Sequence, residues 1–173
     1  MTTYRARPID PAALKELRDT DDAGRPLRPY ASGADGEVLR CCLRLSTQGE
    51  RIALVSYAPL RRWAARTGAD PGAYDEQGPV FIHADECAGP DGAGPDGAGT
   101  ATVYPFARPG ALRAFRRYDA RGRIAGGRMA ELPFDTCAAY DAALDEAFAD
   151  PEVALVHVRA VEYGCLHFEV RRP

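Results

Sequence analysis

The residues best equipped for chemistry lie near the end of the chain. Val153 to Val161 and Cys165 to Arg171 both alternate between two unlike sets of side chains, and Glu162-Tyr163-Gly164 stands between them. Period-two alternation marks a strand with two different faces. A three-residue loop with glycine at the left-handed position closes a hairpin. That loop predicts Val161 opposite Cys165, Arg159 opposite His167 and His157 opposite Glu169. One face then carries His157, Arg159, Cys165, His167 and Glu169, while Val156, Val158, Ala160, Leu166, Phe168 and Val170 make the other wholly apolar. Five such polar side chains on one patch suit small-ligand binding or acid–base work. His157 or His167 would move protons, Arg159 would clamp an anion, and Cys165 would be a reactive or contact thiol. The same alternation also describes an outer sheet face open to water.

A second constellation lies in Gly78 to Cys87, GPVFIHADEC. If a strand runs past His83, then His83, Asp85 and Cys87 point the same way. His-x-Asp with a distant histidine is the ligand order of a facial triad for non-haem Fe(II), with His157 or His167 as third ligand. Tyr57, Tyr74 and His83 are expected to border the pocket formed by the hairpin's polar face, with Glu169 as a further binding residue. The five cysteines, Cys41, Cys42, Cys87, Cys137 and Cys165, are odd in number and form no CxxC pair. Adjacent cysteines on a strand point to opposite faces. Neither a disulfide framework nor a structural zinc site is therefore expected. Serine-hydrolase, P-loop, HExxH and EF-hand patterns are absent.

The elements that must position these residues follow from the local patterns. Asp10 caps a helix that Pro11 opens, and Ile9 with Leu14 fits a hydrophobic staple. Residues 19–36 read as loop. Val38 to Leu45 and Arg51 to Tyr57 read as strands that can pair as a hairpin across Thr47-Gln48-Gly49-Glu50. Pro59 to Arg66 reads as a short helix and Val80 to His83 as a short strand. Residues 88–99 repeat GPDGA and cannot pack a core, so a mobile surface loop is expected there. Gly92, Gly94 and Gly97 fall in GxGxxG order, but Pro95 and the repeat deny that loop its strand and helix. Leu112 to Tyr118 and Arg123 to Ala130 flank Asp119-Ala-Arg-Gly122 as a hairpin. Residues 136–149 form a helix whose stripe is Cys137, Tyr140, Leu144, Ala147 and Phe148.

The chain has 173 residues, 46% of them apolar and 27% charged, which fits one globular domain over residues 1–173. Its net charge of −3 gives no reason to expect nucleic-acid binding. No apolar run approaches a membrane span, and the N-terminal stretch has no apolar signal core, so a cytoplasmic protein with reduced thiols is expected. Lys15 is the only lysine and asparagine is absent, a bias of GC-rich bacterial genomes.

Several stretches together resemble a bacterial family known as domain of unknown function 1203. They are Arg40 to Leu45, Gly49-Glu50 with the apolar run to Tyr57 and Pro59, then Tyr74 with Gly78-Pro79-Val80-Phe81 and His83. Val156-His157-Val158 and Gly164-Cys165 close the set. The resemblance spans nearly the whole chain and implies one domain, with the GPDGA repeat as a local insertion. It implies no activity, and it keeps the C-terminal hairpin foremost as a site.

Two or three helices with about seven short strands predict an α+β domain. Its sheet should be curved and mainly antiparallel, open to closing part of a barrel. Three functional classes remain. The first is a small-molecule enzyme or binding protein with no cofactor. The second is a protein-interaction module, for which a homodimer is compatible. The third is the Fe(II) oxygenase built on His83, Asp85 and His157.

Overall fold

A computed structural model describes residues 4–90 and 104–172. Most of the GPDGA repeat, residues 91–99, lies outside them. The class is α+β, as expected, but among the described residues the strands divide between two open sheets and close no barrel. In chain order the elements are α1 (Pro11–Leu17), β1 (Tyr30–Ala31), β2 (Val38–Leu39), β3 (Arg44–Leu45), β4 (Arg51–Tyr57), α2 (Pro59–Thr67), β5 (Gly78–His83), β6 (Leu112–Asp119), β7 (Ile124–Glu131), α3 (Thr136–Ala149), β8 (Val153–Ala160) and β9 (Leu166–Arg171). The first sheet has the order β1-β4-β5-β2-β3 and the second β7-β6-β8-β9. Among the described residues every strand pairing is antiparallel except β2 with β5, where Leu39 lies beside Phe81.

Local chemistry explains the helices. The Asp10 carboxylate accepts from the Ala12 N–H at 2.9 Å, and Pro11 follows it. Asp135 caps α3 through the Ala138 N–H at 3.0 Å. Tyr140, Leu144, Ala147 and Phe148 bury the expected stripe of α3 against Phe115, Val156, Val158, Phe168 and Val170 of the second sheet. The opposite face of that sheet is also covered. Tyr118 and Leu155 pack on Leu60 and Trp63 of α2, and Leu166 joins the core between α1 and the first sheet. The hairpin face bearing His157 and Arg159 is therefore an inner face, and the water-exposed alternative does not hold.

Three strand expectations need correction. Val38 to Leu45 is not one strand: Leu43 takes a positive φ of 58°, and the chain folds back so that Val38 pairs with Leu45. The ladder groups of β4 are taken instead by β1 and β5, so no hairpin forms between residues 38–45 and 51–57. In the C-terminal hairpin His157 does face Glu169, and Gly164 has the left-handed φ of 69°. The Gly164 N–H, however, donates to the Ala160 carbonyl, and the register shifts so that Val158 faces Phe168 while Arg159 faces Leu166. His167 is the extra residue of this bulge. The predicted Arg159–His167 pair is consequently absent.

Candidate functional site

The bulge decides which side chains reach the cleft beside β9. This cleft has a volume of about 310 Å³. Its walls come from residues 5–11, from Pro59 and Arg66 of α2, from Tyr57, from Arg40 in the β2–β3 turn, and from residues 166–169 and 171. The Arg7 N–H donates to the Glu169 carbonyl at 2.8 Å, which fixes the N-terminal segment along β9. Five arginines line this space, Arg5, Arg7, Arg40, Arg66 and Arg171, against the two acidic residues Asp10 and Glu169. Both carboxylates are already engaged. Asp10 caps α1, and Glu169 accepts from Arg171 Nε at 2.6 Å and lies 3.3 Å from His157 Nε2. An excess of positive charge thus gathers in one cleft of a chain whose net charge is −3. Desolvation lowers the Arg7 guanidinium pKa, and the neighbouring charge of Arg171 adds to the effect.

Arg40 is 4% exposed and anchors the cleft floor. Its Nε donates to the Leu166 carbonyl at 2.7 Å, and its Nη2 reaches Cys165 Sγ at 3.4 Å. His167 lines the same cleft with its ring edge on Phe106, 5.3 Å between centroids. Burial, then Arg113 and Arg40, push its pKa down to about 3. Its Nδ1 is buried and has no hydrogen-bond partner among the described residues. The imidazole is therefore neutral, with one N–H and one lone pair on its two ring nitrogens.

The other expected site residues are dispersed. His157 is fully buried beneath Glu169 and against the Tyr118 ring, and it lines neither cleft. Desolvation lowers its pKa, so it too is neutral. Arg159 and Cys165 face a second, smaller cleft of about 220 Å³, with Tyr57 on the boundary of both. Arg159 is already paired there with Glu76 at 2.6 Å and with the Gly164 carbonyl at 3.0 Å. Tyr74 is exposed on a 3₁₀ turn, Gly72–Tyr74, away from both clefts.

The residues of the expected iron triad do not meet. The strand ends at His83, so Asp85 leaves its face and pairs with Arg51 at the surface, 2.8 Å away. His157 belongs to the other sheet. His83 turns instead toward the β2–β3 turn, where Cys41 Sγ lies 3.3 Å and Cys42 Sγ 3.7 Å from its Nδ1. Sequence spacing did not point there, because the parallel pairing of Leu39 with Phe81 brings the two segments together. The one local signal was His83-x-x-x-Cys87. Likewise Arg5, Arg7, Arg66 and Arg171 carried no pattern of their own, since arginine is spread through the whole chain.

Residues 36–172 match the model of a family described as "Protein of unknown function (DUF1203)". No curated protein and no solved structure matches the chain.

Proposed function

We propose a function for a chain that belongs to the DUF1203 family: it binds a small anionic molecule in the arginine-lined cleft. The observation that carries this reading is the gathering of five arginines around one concave space with two carboxylates, Asp10 capping α1 and Glu169 paired with Arg171. Guanidinium groups match carboxylate and phosphate oxygens through paired N–H donors. Arg7 feels the like charges of Arg171, Arg5 and Arg66, and an anion relieves that repulsion. The size is right for a metabolite of modest length, since ligand pockets begin at roughly 300 Å³. Tyr57 supplies an aromatic wall, and the neutral His167 adds a polar ring without adding charge. Arg40 sets the floor rather than reaching freely into solution. The anion-clamping role expected of Arg159 passes to Arg7 and Arg66, because Arg159 already holds Glu76.

The test is a thermal-shift titration of the full chain with inorganic phosphate, citrate and ATP at low ionic strength. A saturable rise in Tm with at least one of them is expected, weakening as sodium chloride screens the cleft. Arg7→Gln with Arg66→Gln should abolish the rise while leaving the unliganded Tm within a few degrees. The reading fails if no anion gives a saturable shift, or if the double variant responds as the native chain does.

A further inference from the structure

We infer that Cys41, Cys42, His83 and Cys87 form a binding site for one Zn²⁺ ion, separate from the cleft. One ligand atom from each of the four residues lies within 4.8 Å of all the others. Three edges of this group are resolved: 3.9 Å between the two adjacent sulfurs, and 3.3 and 3.7 Å from those sulfurs to His83 Nδ1. A tetrahedral zinc ion, with Zn–S near 2.3 Å and Zn–N near 2.05 Å, requires edges of about 3.8 Å and about 3.6 Å. All three edges agree within a few tenths of an ångström. The sulfur–sulfur distance also identifies thiols, since a disulfide would hold them at about 2.05 Å.

The turn between β2 and β3 makes this geometry available. On an extended strand Cys41 and Cys42 would face opposite ways. The fold-back at Leu43, with its positive φ of 58°, turns both sulfurs toward β5. The parallel pairing of Leu39 with Phe81 then sets His83 opposite them. The backbone N–H of His83 also donates to Cys41 Sγ at 3.2 Å, which ties the end of β5 to the turn. Cys87 follows His83 by four positions and supplies the fourth donor.

The outer layer fits as well. A histidine that ligates through Nδ1 carries its proton on Nε2 and gives it to a carboxylate or carbonyl. Glu50 Oε1 lies 3.5 Å from His83 Nε2. Glu50 is itself held by the Thr47 N–H at 2.8 Å and by Arg44 Nη1 at 3.1 Å. Arg44 Nη2 is 3.1 Å from the same ring nitrogen, so metal binding turns that donor fully onto Glu50. Three thiolates and one neutral imidazole around Zn²⁺ leave a single negative charge, and Arg44 stands beside it. Binding releases the thiol protons to solvent. Four protein ligands leave no open position, so the ion is structural: it ties the β2–β3 turn to the end of β5.

The decisive experiment is a titration of the reduced, chelator-treated full chain with Co²⁺ under anaerobic conditions. We expect the intense visible bands and near-ultraviolet charge-transfer absorption of tetrahedral thiolate coordination. They should saturate at one ion per chain and be bleached by Zn²⁺. Cys42→Ser and His83→Gln should each lose this spectrum, whereas Cys165→Ser should keep it. Glu50→Gln should keep the spectrum while lowering Zn²⁺ affinity by about 10–100-fold. Where a ligand variant fails to fold, thiol labelling of the native chain decides. Zn²⁺ should protect Cys41, Cys42 and Cys87. A Co²⁺ spectrum that stays weak and octahedral overturns the assignment. So does a tetrahedral spectrum that survives both ligand variants, or labelling of those three thiols that Zn²⁺ does not slow.

Discussion

His167 shows how one residue's surroundings reverse its expected role. As a solvent-facing histidine it would titrate near 6.5, but burial and two nearby arginines carry it down to about 3. Between those values the unfolded chain binds a proton that the folded chain refuses. Stability therefore declines as pH falls through that window. His157 is shifted in the same direction, and Glu169, held below its ordinary 4.5, adds the same sign once pH drops further. The expected outcome is a Tm that falls steeply between about pH 7 and about pH 4, with a total cost on the order of a few kcal/mol. His167→Phe should flatten the upper part of that slope, measured by calorimetry at matched ionic strength. An unaltered slope in that variant would mean that His167 is not the neutral buried group described above.

At the scale of elements, the β6–β7 hairpin turns on Gly122. Its φ is 83°, and a Cβ there would sit 3.0 Å from Pro71 Cβ and 3.2 Å from the Trp63 ring. Both the backbone and the packing against α2 demand glycine. Gly122→Ala should cost about 1–3 kcal/mol, read as a lower urea midpoint; an unchanged midpoint would contradict the close packing at this turn. This hairpin was legible in the sequence, because Asp119 and Gly122 are the residues such turns require. Asp10 and Asp135 announced their helices for the same reason: a cap is a local bond, and local bonds leave local signatures. The fold-back at Leu43 and the bulge at His167 left none. Neither position carries a glycine to mark it. The cysteine cluster stayed hidden because β2 and β5 meet only after folding. The polar hairpin face was legible only in part: His157 does face Glu169, but the bulge sets Leu166, expected on the apolar face, opposite Arg159. The covering of that face by α2 and the first sheet, which splits its residues between two clefts and a buried layer, was not encoded in the hairpin itself.

At the scale of the whole molecule, the two sheets are joined through Leu166, which belongs to the second sheet's last strand and packs in the first sheet's core. Among the described residues no helix is long and apolar enough to cross a membrane. The charge map is uneven: an acidic chain surrounds a basic cleft, so added salt acts on the cleft's attraction and the chain's repulsion together. The bulge in β9 has a further consequence, for the lengths that relatives of this chain can adopt. A deletion within a regular strand inverts every side chain beyond it. At His167 the arithmetic runs the other way. Arg159 already faces Leu166 and Val158 already faces Phe168, so a chain lacking residue 167 would close into an uninterrupted ladder with both faces unchanged. A His167 deletion should therefore fold with Tm close to that of the native chain, while deleting Phe168 should abolish folding, as circular dichroism and thermal melting would show. The strand thus carries a removable link at the point where it borders the cleft. Homologues one residue shorter there would preserve the architecture and alter only what the cleft presents to its ligand.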